Sequence, residues 1–224
     1  MSLIFHPNML RAYFICGTQD VPDYQLDAIV SEAIKAGITA FQYRDKGNSR
    51  LSSEQRLDLG QTLREKCRAV GIPFIVDDDI ELAKALDADG IHVGQSDQRV
   101  EQVIAEVGDR MFVGLSCSTL AEVDQANLLD GIAYLGSGPV FPTQSKADAD
   151  PVIGLDGLTD LVDDSKVPIV AIGGITEANL KQVAQTGAAG VSVISMLTQS
   201  SDMDQTVQRM LAAFPEDESY KLSE

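Results

Sequence analysis

Short apolar runs alternate with longer amphipathic stretches from one end of the chain to the other. The runs Tyr13–Cys16, Ala40–Tyr43, Phe74–Val76, Gly90–Val93, Phe112–Leu115, Ala133–Leu135, Ile169–Ile172 and Val191–Ile194 are too short and too apolar for exposed strands. They predict strands buried on both faces. Between and after them the pattern predicts helices near Asp23–Ala36, Ser52–Val70, Ile80–Leu86, Val100–Val107, Leu120–Leu128, Gly157–Val162, Asn179–Thr186 and Gln205–Phe214. In the second of these, Leu57, Leu59, Leu63, Cys67 and Val70 keep an approximately helical spacing. Ser52 ahead of Glu54, and Thr176 with Asn179, read as helix starts. Three helix-to-strand joints repeat one pattern: Ala36-Gly37-Ile38, Ala88-Asp89-Gly90-Ile91 and Gly187-Ala188-Ala189-Gly190-Val191. Glycine there is expected to end a helix through a left-handed cap and to let the chain enter the next strand closely.

Eight strand–helix units without a linker or a composition break fit an α/β fold, a single (β/α)8 TIM barrel. The expectation is one domain over 1–224, with a barrel core from about 12 to 214, a short N-terminal arm and a loose acidic tail over 215–224. An open doubly wound sheet is the alternative. It would show a glycine-rich turn after the first strand, whereas this turn reads Cys16-Gly17-Thr18-Gln19-Asp20.

Composition narrows the partners. A chain of 224 residues with 44% hydrophobic and 23% charged positions can bury a real core, which excludes wholesale disorder. Its 17 basic and 34 acidic residues leave a formal charge of -17, so nucleic acid and anionic membrane surfaces are repelled. A small anionic substrate needs only a local cluster of cations and backbone N–H groups, and stays open. Cys16, Cys67 and Cys117 are sparse and odd in number, which argues for a reducing cytoplasm and against a disulfide framework or structural zinc. No apolar stretch approaches the roughly 20 residues that span a bilayer, and Met1–Arg11 lacks the pattern of a signal peptide.

In such a barrel the chemistry lies just after each strand, where the loops converge on one mouth. After the second strand, alternation puts Gln42, Arg44 and Lys46 on one side and Tyr43 and Asp45 on the other. Two cations and an amide there can hold a polyanion, though a solvated loop would look the same. After the third strand Asp77-Asp78-Asp79 either cap a helix or supply metal ligands. Asp97, after the fourth strand, is the carboxylate that with Asp78 could hold Mg²⁺. Ser116 follows the fifth strand. The sixth loop runs from Gly136 through Thr143, Ser145 and Lys146, and reads as a lid that carries a cation, or as an irregular surface loop. Gly173-Gly174 after the seventh strand, with Ile194 and Ser195 after the eighth, suit a phosphate cradle. His92 reads as a packed or hydrogen-bonded strand residue and His6 as part of the arm; with only two histidines, no nucleophilic triad can be assembled. Met196, Met203 and Met210 read as helix packing.

Taken in order, five segments resemble the thiamine-phosphate synthase family: Gln42-Tyr43-Arg44-Asp45-Lys46, Val76-Asp77-Asp78, Gly90-Ile91-His92-Val93-Gly94-Gln95-Ser96-Asp97, Gly138 to Lys146, and Ala171-Ile172-Gly173-Gly174-Ile175. The resemblance runs from about Tyr13 to Met196. It implies joining of 4-amino-2-methyl-5-hydroxymethylpyrimidine diphosphate to a thiazole monophosphate, with Mg²⁺ required. The C–O bond to pyrophosphate breaks first, leaving a pyrimidine-stabilised cation. By the same resemblance Arg44, Lys46 and Lys146 clamp the pyrophosphate, Asp78 and Asp97 ligate Mg²⁺, and Gln42 and Ser116 orient the pyrimidine. Gly174, Ile194 and Ser195 hold the thiazole phosphate, with Thr143 and Ser145 nearby. Asp77 stands where the family commonly has Asn, which removes an amide donor and adds negative charge beside a diphosphate.

Other readings are a thiazole tautomerase-like barrel, a non-catalytic precursor-binding protein and a sugar-phosphate isomerase. The first has no diphosphate to clamp, the second would not need the metal and lysine positions, and the third needs a general base that the sequence does not place. The oligomeric state, a homo-oligomer included, stays open.

Overall fold

The computed structural model describes residues 3–22, 25–47, 49–95, 99–143 and 151–217. Its strands are β1 (Ala12–Cys16), β2 (Ala40–Tyr43), β3 (Phe74–Asp77), β4 (Gly90–Val93), β5 (Phe112–Ser116), β6 (Ile132–Ser137), β7 (Ile169–Ile172) and β8 (Gly190–Val193). All pair in parallel in chain order, and β1 pairs with β8, so the sheet is the closed barrel expected. The helices are α1 (Leu26–Ala36), α2 (Ser53–Val70), α3 (Ile80–Ala85), α4 (Val100–Val107), α5 (Leu120–Ala126), α6 (Gly154–Asp164), α7 (Leu180–Ala184), α8 (Ser195–Thr198) and α9 (Met203–Ala213).

The strands read as continuous apolar runs because they are buried on both sides. Ala12, Phe14 and Cys16 of β1 face the helices, in a cluster with Phe41, Phe74, Ile91 and Val113. Tyr13 and Ile15 face the barrel interior beside Ala40, Ile75, Tyr134 and Val170. The period of two thus separates an outer apolar layer from an inner one.

Local chemistry sets the joints. Ser52 caps α2 by accepting from the Gln55 N–H at 3.2 Å, and the Gln55 side chain returns a bond to the Ser52 N–H at 2.9 Å. The reciprocal partner is therefore Gln55, while Glu54 sits in the first turn. Gly37 and Gly187 adopt the left-handed conformation expected of them. At the joint before β4 the left-handed residue is Asp87. Gly90 instead opens the strand, where a Cβ would run into the Phe112 ring.

The N-terminal arm is a plug. Pro7–Leu10 form a 3-10 turn, begun by His6, whose Nδ1 accepts from the Asn8 N–H at 3.1 Å. Phe5 closes the barrel floor against Phe112 and Tyr134, with ring centroids 5.3 and 5.7 Å away. The tail also differs from expectation at its start. Arg11 Nε donates to the Phe214 carbonyl at 2.5 Å, and the Asp217 N–H donates to Asn8 Oδ1 at 3.1 Å. Residues 215–217 are thus tied to the plug, and 218–224 lie outside the described residues. Met203 and Met210 are buried in the core and Met196 is half-buried against it, as helix packing requires.

One buried ion pair staples the outer layer to the sheet. Asp89, 2% exposed, accepts from the Phe74 N–H at 2.9 Å and meets Arg64 Nη2 of α2 at 3.3 Å. Removing the carboxylate leaves a half-pair and a buried donor without partners. Asp89→Ala is expected to lower the unfolding free energy by about 3 kcal/mol in urea titration.

Candidate active site

The strand ends meet in a cavity of about 380 Å³ at the C-terminal mouth of the barrel. At the end of β2 the alternation holds. Asp45 points away from the cavity and ties the loops together, accepting from the Thr18 N–H at 3.0 Å and from Ser49 Oγ at 2.6 Å. Arg56 Nε lies 3.5 Å from Asp45 Oδ2, the oxygen that Ser49 also reaches. Arg44 and Lys46 line the cavity.

The three consecutive aspartates divide three tasks. Asp77, inside the barrel and 8% exposed, lies 3.4 Å from Arg44 Nε and 3.1 Å from Lys46 Nζ. Asp78 turns out of the sheet with φ at 57°, its N–H bound to the His92 carbonyl at 2.9 Å, and its carboxylate pairs with Lys46. Asp79 caps α3 by accepting from the Leu82 N–H at 3.0 Å. Capping and cation pairing therefore coexist in one triplet, one residue apart.

Support for the two cations comes from the first loop. Gln19 Nε2 donates to the Arg44 carbonyl at 2.7 Å, and its Oε1 accepts from the Lys46 N–H at 3.3 Å. A Cβ on Gly17 would collide with that same carbonyl, so only glycine lets the first loop pass so close. Nothing in the sequence distinguished Gln19 from an ordinary turn residue.

On the far wall, Gly173 and Gly174 both have positive φ, at 93° and 64°. Their missing side chains make room for the sixth loop: a Cβ on Gly174 would sit 2.7 Å from Phe141 Cβ. The Phe141 N–H donates to the Gly173 carbonyl at 3.0 Å, so the sixth and seventh loops interlock. Ile194 and Ser195 follow β8, and the unforeseen single turn α8 begins at Ser195. Thr143 and Ser116 also line the cavity. The structure thus gathers Arg44, Lys46, Asp77, Asp78 and Ser116 with Thr143, Gly174, Ile194 and Ser195. Asp97, Ser145 and Lys146 lie outside the described residues.

Gln42 is 2% exposed, and its Nε2 donates to Tyr13 Oη at 2.7 Å. His92 is in turn more than a packed strand residue. It lines the cavity and its ring nitrogens meet Tyr134 Oη at 3.1 Å and Ser116 Oγ at 3.0 Å. The cysteines take no part: all three are buried, and burial pushes Cys117 and Cys67 up to about 12 and Cys16 higher still.

Because Gln19 grips the backbone on both sides of Asp45, Gln19→Ala is expected to loosen Arg44 and Lys46 together. Pyrophosphate binding measured by calorimetry should weaken about tenfold, while unfolding free energy changes by less than about 1 kcal/mol.

Known proteins of similar sequence point to one family. The family model described as thiamine monophosphate synthase matches residues 12–197, from β1 into α8. The chain is 65% identical over 213 residues to thiamine-phosphate synthase of Lactiplantibacillus plantarum, covering 95% of this chain and 98% of that one. It is 61% identical to the thiamine-phosphate synthase of Levilactobacillus brevis, covering 96% and 99%. Thiamine phosphate pyrophosphorylase from Pyrococcus furiosus superposes with a TM-score of 0.81 at 36% identity, covering 93% of this chain and 96% of that one. With the family model covering residues 12–197 and relatives matched nearly end to end, the chain belongs to the thiamine-phosphate synthase family.

Proposed function

We propose that the cavity joins 4-amino-2-methyl-5-hydroxymethylpyrimidine diphosphate to 4-methyl-5-(2-phosphoethyl)thiazole, giving thiamine phosphate and pyrophosphate. The observation that carries this reading is the placement of Arg44 and Lys46 on the wall opposite Gly174. In a ring of eight strands the ends of β2 and β3 face those of β6 and β7, so one polyanion can lie on each side with the reacting atoms between.

The bond to the leaving oxygen breaks with both electrons going to pyrophosphate. The positive charge left on the methylene carbon spreads into the aminopyrimidine. The thiazole nitrogen then gives its lone pair to that carbon. This sequence needs no base to start it. It needs positive charge fixed where the departing oxygens gain negative charge, and a dry, oriented gap between the two partners. Arg44 presents a fork and Lys46 a compact charge. Both are balanced by Asp77, and Lys46 also by Asp78. That balance keeps two cations ordered at one wall of an acidic protein, and a diphosphate with more charge and more oxygens can exchange for it. Asp77 thereby gains a role that Asn could not fill, as the counter-charge of both cations.

Mg²⁺ fits the donor set. The Asp78 carboxylate is a hard oxygen donor on the cavity wall, and such an ion takes one or two carboxylates with substrate phosphates and water. Among the described residues no group of three or more acidic, histidine or cysteine side chains could hold a metal unaided. Asp78, with Asp97, would hold the ion through the diphosphate, where it would neutralise charge on the leaving group. Lys146 would close on the same group from the sixth loop. Gly174, Ile194 and Ser195 would hold the thiazole phosphate through backbone and hydroxyl donors, with Thr143 and Ser145 assisting. Three buried, reduced thiols suit the cytoplasm, and among the described residues no helix is long and apolar enough to cross a membrane.

Purified protein given both substrates and Mg²⁺ should form thiamine phosphate and release pyrophosphate in equal amounts, with both signals lost on chelation. No coupling over a range of salt and metal concentrations would refute the reading. Arg44→Ala should lower single-turnover coupling on the order of a hundredfold. Lys146→Ala should act mainly on the chemical step, and Gly174→Asp mainly on thiazole phosphate binding. Equal effects of the last two on both measurements would remove the division of roles.

A further inference from the structure

Three successive carbonyls of the seventh loop are bonded from outside the cavity. The Ile172 carbonyl accepts from the Val140 N–H at 2.9 Å, and the Gly173 carbonyl accepts from the Phe141 N–H at 3.0 Å. The Gly174 carbonyl accepts from Asn179 Nδ2 at 3.1 Å. The first two donors are backbone groups of the sixth loop. The third is a side chain at the start of α7. Gly173, Gly174 and Ile175 line the cavity, whereas Val140, Phe141 and Asn179 do not.

A trans peptide points its N–H opposite to its C=O. Carbonyls held from outside therefore turn the N–H groups of Gly173, Gly174 and Ile175 towards the cavity. Successive N–H groups that share one side of the chain form a concavity for an anion. Glycine restricts its own torsions least of any residue, so the peptide after Gly174 needs an outside bond to hold its angle. Of the three peptides, this is the one held by a side chain.

The orientation of that side chain follows from its two partners. The Thr176 N–H can only donate and lies 2.8 Å from Asn179 Oδ1, while the Gly174 carbonyl can only accept and so takes Nδ2. The Asn179 N–H also donates to the Thr176 carbonyl at 3.1 Å. The turn between them is fixed from behind by α9, where Thr206 Oγ1 donates to Glu177 Oε1 at 2.6 Å and Arg209 pairs with the same carboxylate. Asn179 is thus a rigid post with one donor aimed at one carbonyl.

We infer that Asn179 is a positioning residue for the phosphate end of the thiazole substrate, holding the Ile175 N–H in line with those of Gly173 and Gly174 through the Gly174 carbonyl. The inference rests on the reading of that wall as the phosphate site, and adds to it a residue that does not line the cavity. In the sequence Asn179 reads only as a helix start, because its second bond runs back five residues.

Binding is measured by calorimetry for 4-methyl-5-(2-phosphoethyl)thiazole and for the corresponding alcohol, which lacks the phosphate. Asn179→Ala should weaken the phosphate ester about tenfold and leave the alcohol and pyrophosphate unchanged. In steady-state coupling the KM for the thiazole phosphate should rise by the same factor, with kcat within about twofold of wild type. Asn179→Asp keeps the bond from Thr176 and removes the donor to Gly174, and serves should the alanine variant not fold. A general loosening of the loop would weaken ester and alcohol alike. That result, or an ester bound as tightly as by wild type, would overturn the inference. The backbone amides give a second reading in ¹⁵N spectra: inorganic phosphate should shift the Gly173, Gly174 and Ile175 signals of wild type, and the Ile175 response should be lost in the variant. If wild type binds no thiazole phosphate and forms no product, the proposed function fails. The spectra with inorganic phosphate still decide the inference, which unshifted amides in wild type would overturn.

Discussion

Pairing of the first strand with the eighth closes the sheet, with Ala12, Tyr13 and Phe14 set against Val191, Ser192 and Val193. Closure leaves no strand edge to satisfy, and it fixes the direction of all eight strand ends. Residues far apart in the chain, such as Arg44 and Ser195, then share a cavity of about 380 Å³ without any contact designed between them locally. Closure also explains why the floor must be plugged: Phe5 and Leu10 fill the end at which no helix starts. The site therefore depends on long-range pairing first and on loop chemistry second.

Within that frame charge is handled locally. The surface carries a formal charge of -17, and the proposed substrates are polyanions. The mouth holds Arg44 and Lys46 against Asp77 and Asp78 at close range, and screened surface carboxylates further off matter little by comparison. The Arg44–Asp77 pair, with side chains 15% and 7% exposed, is already largely desolvated. Exchanging Asp77 for phosphate oxygens then needs less reorganisation than collecting two cations from water. Gln19 and Gly17 serve that end by holding the Arg44 carbonyl from the neighbouring loop.

The strand pattern was legible because a period of two in a doubly buried strand leaves a nearly continuous apolar run, and every such run became a strand of the barrel. Arg44, Lys46 and Asp78 were legible because strand ends in this architecture point to one place. What could not be read depends on partners remote in sequence. Asp77, Asp78 and Asp79 are chemically identical in the chain, and only the left-handed turn at Asp78 separates them into cation partner, ligand candidate and helix cap. The N-terminal segment looked like an arm because the ring that Phe5 packs on, Tyr134, lies more than half the chain away. α8 is a single turn, too short for any periodicity to announce. The first residues of the tail looked loose because their bonds run to Asn8 and Arg11.

The interior shows why Tyr13 and Tyr134 carry hydroxyls where phenylalanine would pack as well. Tyr134 stacks on Phe5 and crosses Phe112, so its ring belongs to the apolar floor. A hydroxyl there costs about 1–3 kcal/mol if left alone. Linked to one another, the hydroxyls offset that cost, and the line ends at His92 and Ser116, which line the cavity. A polar line of this kind has no use for the fold's stability, which an all-apolar interior would serve equally. It connects an amide on β2 to a hydroxyl on β5, across strands whose side chains never meet directly. The polar column therefore joins the buried interior to the cavity, where His92 and Ser116 end it.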